Sequence, residues 1–272
     1  MKKDILNALK QHPVILFYVL AFAISWLGWI PQTLYSYGLF PLDHPVFSLL
    51  GGAGPTLAAL IVVWVLKGKD GPRELFAPLS RWQVSWRWFL VVFLFWFVVA
   101  AIALGIGAFL GQTFPPLSRF AWASLLPIFI TMLLSNVWEE IGWRGFALPR
   151  LQERYGDLEI TLMMGLLWSL WHLPLLLNPA SPMSNLPWYG EVLFSLALTA
   201  IYIWLYNHTQ CSLLFVSIFH ALSNTIAFVL LELGVFRSSY LLIVGLVTIF
   251  AVFIILRYGG QRFVAASSPG IR

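Results

Sequence analysis

Residues 120–152 read FAWASLLPIFITMLLSNVWEEIGWRGFALPRLQ. Phe120 to Val137 is an apolar run of near-spanning length, since about 20 such residues cross the hydrocarbon of a bilayer. It closes on two adjacent acids, Glu139 and Glu140, and Arg144 follows one helical turn later. An ionised side chain at membrane depth costs about 2.5–3.5 kcal/mol on insertion scales. Such a cost is usually carried for a function.

The rest of the chain has the same character. It is 60% hydrophobic and 10% charged, with a mean hydropathy of +0.84, whereas soluble domains are about 25% charged. This composition describes an all-α, polytopic membrane protein. Eight apolar segments are expected to span: 13–31, 45–66, 87–110, 120–142, 159–177, 189–206, 211–232 and 239–257. The joining loops are too short for a soluble domain, so 1–272 reads as one transmembrane domain with a motif-bearing core at 120–232. Met1 to Lys10 and the following apolar stretch resemble a signal peptide, but the run continues to Ile30 and reads as a retained first helix. Cys211 is the sole cysteine, which excludes an intrachain disulfide.

Basic residues set the expected orientation. With the N-terminus inside, Lys2, Lys3, Lys10, Lys67, Lys69, Arg73, Arg81, Arg87, Arg144, Arg150, Arg154, Arg257, Arg262 and Arg272 fall on the inner side. Only Arg119 and Arg237 fall outside. That asymmetry predicts cytoplasmic N- and C-termini in a plasma membrane, with a polar site opening toward the cytoplasm. The net charge of +5 then reflects topology and anionic lipid and gives no reason to invoke nucleic acid.

Two further patterns put polar groups on apolar helices. Trp168-Ser169-Leu170-Trp171-His172 lies in the fifth segment, with Pro174 just beyond. His220-Ala221-Leu222-Ser223-Asn224 lies in the seventh, and there His220 and Asn224 share a face at i,i+4. Each has a plain reading. Glu140 and Arg144 can form an interfacial ion pair, His172 can be a hydrogen-bonded core histidine, and polar residues join membrane helices. The ion pair leaves Glu139 without a partner. Depths along straight helices also disagree, with Glu139 nearer the inner face than His172.

If the three patterns converge, a carboxylate beside an imidazole can activate water. A second imidazole and a carboxamide can donate to an oxyanion. Glu139, His172 and His220 could instead hold a divalent metal, zinc being the natural choice for this donor set. The chain has no His-Glu-x-x-His, no Gly-x-Ser-Gly and no pair of membrane aspartates. A proton or ion relay of a transporter and an inert scaffold remain as competing classes.

Glu139-Glu140-x-x-x-Arg144, Trp168-x-x-x-His172 and His220-x-x-x-Asn224 resemble the motifs of the CAAX protease and bacteriocin-processing (CPBP) family, which includes type II CAAX prenyl endopeptidases and Abi proteins. The stretch 139–152 is especially similar to bacterial and archaeal members. Trp168 stands where that pattern has Phe. The resemblance implies an intramembrane endopeptidase in which Glu139 and His172 activate water and His220 and Asn224 stabilise the oxyanion. It implies a supporting role for Glu140 and Arg144, with Trp168 shaping the pocket. Both metallo- and metal-free glutamate mechanisms have been argued for the family. Its substrates are membrane-associated peptides or proteins, prenylated CAAX proteins among them, and some prokaryotic relatives are linked to bacteriocin maturation or self-immunity.

Overall fold

Proline placement explains much of the helical architecture. In the computed structural model, which describes residues 11–264, α1 (Pro13–Ser36) and α2 (Pro45–Lys67) both begin on proline. A missing N–H costs nothing at that position. Pro55, inside α2, leaves the carbonyl of Gly51 without its helical donor, and the Ser25 hydroxyl of α1 donates to that carbonyl at 2.7 Å. Gly28 on α1 and Gly51 on α2 let the two backbones touch; a Cβ on Gly28 would stand 2.8 Å from the Gly51 nitrogen. Small residues at such crossings are how membrane helices pack closely.

The chain continues through α3 (Asp70–Phe76), α4 (Trp86–Phe109) and α5 (Leu125–Glu140). A π-helical turn at Ile141–Ala147 and α6 (Leu148–Gln152) carry the α5 axis onward. Then come α7 (Asp157–Trp171), α8 (Leu173–Leu177), α9 (Trp188–His208), α10 (Leu213–Glu232) and α11 (Phe236–Tyr258). Seven described helical segments are long and apolar enough to cross a membrane. The protein is a polytopic, all-helical membrane protein.

Two expectations need correcting. The fifth segment, 159–177, is not one span. The 15-residue α7 stops at His172, and α8 is a separate short turn. Pro174 lacks an N–H, and its ring disfavours helix in the residue before it, so the axis breaks there. Side chains of α1 hold the broken end: Trp26 donates to the Trp171 carbonyl (3.1 Å), Thr33 to Pro174 (2.9 Å) and Tyr37 to Leu177 (3.0 Å). The fourth segment does not end at the acids either. Helix runs from Trp122 to Gln152 over 31 residues, and Glu139 lies about 25 Å along it at 1.5 Å per residue. It is therefore near mid-length, which removes the depth conflict with His172.

The opposite end of α7 is anchored by a buried acid. Asp157 accepts from Gln152 (2.8 Å), Asn207 (2.9 Å) and the Phe263 backbone N–H (2.7 Å). Glu159 accepts from the Gly156 N–H at 2.8 Å and caps the helix start. These bonds tie α6, α7, α9 and the segment after α11 together and set the height of His172. Lys2, Lys3, Lys10 and Arg272 lie outside the described residues.

Candidate functional site

The last turn of α5 presents Glu139 and Glu140 to different neighbours, as their separation of about 100° on a helix requires. Glu140 is fully buried. Its Oε1 accepts from Arg144 Nη1 at 3.0 Å and from His220 Nδ1 at 2.8 Å. The expected Glu140–Arg144 pair is thus present, across a π turn rather than a regular α-turn. Such turns are frequent at functional sites. Gly142 lets this turn pack closely on α2: a Cβ there would lie 2.6 Å from the Pro55 backbone.

The guanidinium of Arg144 is sandwiched by aromatic rings. Its Cζ is 4.1 Å from the Tyr202 ring centroid and 5.1 Å from that of Trp168. Trp168 also stands between the two histidines, with its centroid 5.5 Å from the His172 ring and 5.7 Å from the His220 ring.

Glu139, Trp168, His172, His220 and Asn224 line one cavity of about 360 Å³. All three motifs converge there. Glu140 and Arg144 sit behind the wall and hold His220. Glu139 Oε2 is buried and has no hydrogen-bond partner within the protein. Glu140 Oε2, Arg144 Nε and His172 Nδ1 are likewise buried without a hydrogen bond, but of the two adjacent acids only Glu139 lines the cavity.

Two site residues escaped the sequence reading. Asn136, 3% exposed, accepts through Oδ1 from Asn224 Nδ2 at 3.1 Å, while its own Nδ2 is buried without a partner. Its signal was an amide four residues before Glu140 inside an apolar run. Glu191, 5% exposed, places Oε1 3.3 Å from His172 Nδ1. A polar stripe, Glu191-Ser195-Thr199, marked that face of α9 at i,i+4 spacing.

Among the described residues no three His, Cys, Asp or Glu side chains are gathered closely enough to share a metal ion. Glu139, His172 and His220 surround the cavity with Trp168 between the imidazoles, and that arrangement does not make a ligand set.

The cavity extends from Glu139 and Trp168 toward Pro182, Met183, Leu186, Leu231 and Phe236. These residues belong to the bundle end that carries the turns before α9 and α11. Lys67, Arg81, Arg150 and Arg262 belong to the other end, where Arg81 donates to the Gln210 carbonyl (3.1 Å) and Arg262 to Tyr155 (2.8 Å).

The segment 121–226 matches the family model described as type II CAAX prenyl endopeptidase, Rce1-like. The chain is also similar to CAAX prenyl protease 2 of Methanococcus maripaludis, with 24% identity over 234 residues covering 80% of this chain and 85% of that protein. Both comparisons point to CPBP proteases as what this chain resembles. Every CPBP motif residue, from Glu139 to Asn224, falls inside the matched segment, as do Asn136 and Glu191.

Proposed function

We propose that this protein is a membrane-embedded, glutamate-dependent endopeptidase acting on a lipidated, CAAX-type peptide. The observation that carries the proposal is the unpartnered Glu139 carboxylate facing a largely apolar cavity shared with both histidines. A structural ion pair accounts for Glu140 and Arg144, but not for Glu139. The name of the Methanococcus relative supports the substrate class.

In this mechanism Glu139 takes a proton from a water oriented by His172, and the oxygen adds to the scissile carbonyl carbon. The resulting oxyanion receives hydrogen bonds from Asn224 Nδ2 and His220 Nε2. Asn224 has one N–H engaged by Asn136 and the other free. His220 has Nδ1 committed to Glu140, which leaves Nε2 as the ring nitrogen available to the oxyanion. Glu139 then returns its proton to the amide nitrogen, the C–N bond breaks, and an acid and an amine leave. The lining residues Trp96, Met132, Phe194 and Phe228 supply an apolar wall for a hydrocarbon chain or apolar side chains.

We place the basic bundle end in the cytoplasm of a prokaryotic cell, from the clustering of Lys67, Lys69, Arg73, Arg81 and Arg87 beside Arg150, Arg154, Arg257 and Arg262. Substrate then reaches Glu139 from the membrane and the face bearing 182–186. The decisive experiment is cleavage of an internally quenched, farnesylated peptide ending in a CAAX sequence by purified protein in lipid nanodiscs. Wild type should cleave it and Glu139→Gln should not. Preferential cleavage of the same peptide without the farnesyl group would replace lipidated CAAX processing with processing of unmodified peptides, as in bacteriocin maturation.

A further inference from the structure

His172 has a carboxylate beside it that belongs to none of the three motifs. Glu191 sits in the first turn of α9, on a different element from any motif, and forms part of the same cavity wall. Its Oε1 lies 3.3 Å from His172 Nδ1. The contact is off the line of a regular hydrogen bond, as is common for catalytic pairs before substrate binds. The Ser195 hydroxyl, one turn along α9, donates to the same Oε1 at 2.9 Å and fixes the carboxylate in place. The Trp29 ring lies nearly parallel to the imidazole, at 20° and 6.4 Å between centroids, so the ring plane is held as well.

A glutamate buried this deeply is costly unless it is paired, and its pairing here is with a group of the reaction centre. The two histidines consequently have the same construction, a buried carboxylate on Nδ1: Glu140 for His220 and Glu191 for His172. They differ in one respect. Glu140 is also neutralised by Arg144, whereas among the described residues no Lys or Arg pairs with Glu191. In a neutral imidazole, a carboxylate on Nδ1 selects the tautomer with hydrogen on that nitrogen and leaves the Nε2 lone pair as the acceptor. That is the form needed to orient a water for Glu139.

We propose that Glu191 is a positioning residue that sets the tautomer and ring orientation of His172, so that Nε2 accepts a hydrogen bond from the attacking water. This rests on the proteolytic reading of the site. Glu191 itself does not touch the reacting atoms.

The test uses full-length protein in nanodiscs with the farnesylated quenched peptide. Glu191→Gln keeps size and an acceptor but removes the charge. It should lower kcat by about tenfold to a hundredfold, the usual effect of losing such an outer partner, with KM within about twofold. In a His172→Gln background the same substitution should cause no further loss, because its effect passes through His172. Glu191→Asp, which retains the charge on a shorter arm, should lie between wild type and Glu191→Gln. It also serves if the Gln variant does not accumulate in folded form. Nitrogen-15 spectra of histidine-labelled protein give a readout independent of turnover. The resonances that vanish in His172→Gln should report Nδ1–H in wild type and a shift toward Nε2–H in Glu191→Gln. Wild-type kcat in Glu191→Gln or in Glu191→Asp, an equal loss in both backgrounds, or an unchanged tautomer would each overturn the proposal. If wild-type protein does not cleave the peptide, the proteolytic reading fails instead, and the tautomer measurement still decides whether Glu191 controls His172.

Discussion

Glu140 Oε1 lies 2.8 Å from His220 Nδ1, joining residues 80 positions apart in the chain. The contact changes the meaning of the second glutamate. From sequence it was the helical partner of Arg144; in the fold it is the bridge between Arg144 and the imidazole that faces the cavity. The Glu139–Arg144 motif on α5 and the His220–Asn224 motif on α10 are therefore joined directly.

Removing that bridge should damage both folding and turnover. Glu140→Gln leaves Arg144 as a buried charge without its carboxylate, a type of loss that costs about 3–5 kcal/mol. Arg144→Met in the same chain should recover much of the stability, as double replacement of a buried pair often does. It should not recover kcat, because His220 remains unheld. Thermal unfolding in nanodiscs together with turnover separates the two effects. Additive stability losses would show that the pair is not energetically coupled.

Glu139→Gln should behave differently. The side chain keeps its size and stays hydrogen-bond capable, so the unfolding midpoint should stay within a degree or two of wild type. Cleavage should fall by about 10²–10⁴, the usual contribution of general-base catalysis. His172→Ala should fall similarly, and the double variant should be little worse than either. Near wild-type cleavage by Glu139→Gln would remove Glu139 from the mechanism.

Asn136 should matter through Asn224. Asn136→Leu withdraws the acceptor that holds the Asn224 carboxamide at 3.1 Å. Loss of one such bond, about 1–1.5 kcal/mol, predicts a kcat roughly tenfold lower with KM little changed. Asn224→Ala should be worse, by about 10²–10³, since it removes an oxyanion donor. An Asn136→Leu variant with the full Asn224→Ala defect would instead mark Asn136 as a donor in its own right.

Chelators should leave proteolysis intact. The imidazoles flank Trp168, and no described group of three ligating side chains is gathered for a metal. Phenanthroline at millimolar concentration should not inhibit, and elemental analysis should find no stoichiometric zinc. Inhibition reversed by zinc would mean that Glu139, His172 and His220 rearrange into a ligand set when the ion is present.

The access side can be read by labelling. In a Cys211→Ser background, a cysteine at Met183 should react with a membrane-impermeant maleimide from the non-cytoplasmic side. One at Ser80 should react only after the membrane is opened. The reverse pattern would invert the orientation and return the cavity approach to the cytoplasm.

Sequence by itself determined a good deal here. Apolar runs of spanning length can be satisfied in lipid only as helices or closed barrels, and these are far too long and continuous for barrel strands, so the class was settled by composition. The motif residues Glu139, His172, His220 and Asn224 were visible for the same reason: polar groups on apolar helices are costly and therefore sparse. Contacts between helices were not visible. Whether α7 ran on past His172 depended on how a proline-freed backbone was satisfied, and the answer lay in Trp26, Thr33 and Tyr37 of α1. Glu191 looked like an ordinary helix-end acid, because its significance is a distance to a residue on another helix. Periodicity along one chain says which face of a helix is polar. Only the packing of helices against one another decides which polar faces meet, and here that packing joined Glu140 to His220, Asn136 to Asn224 and Glu191 to His172.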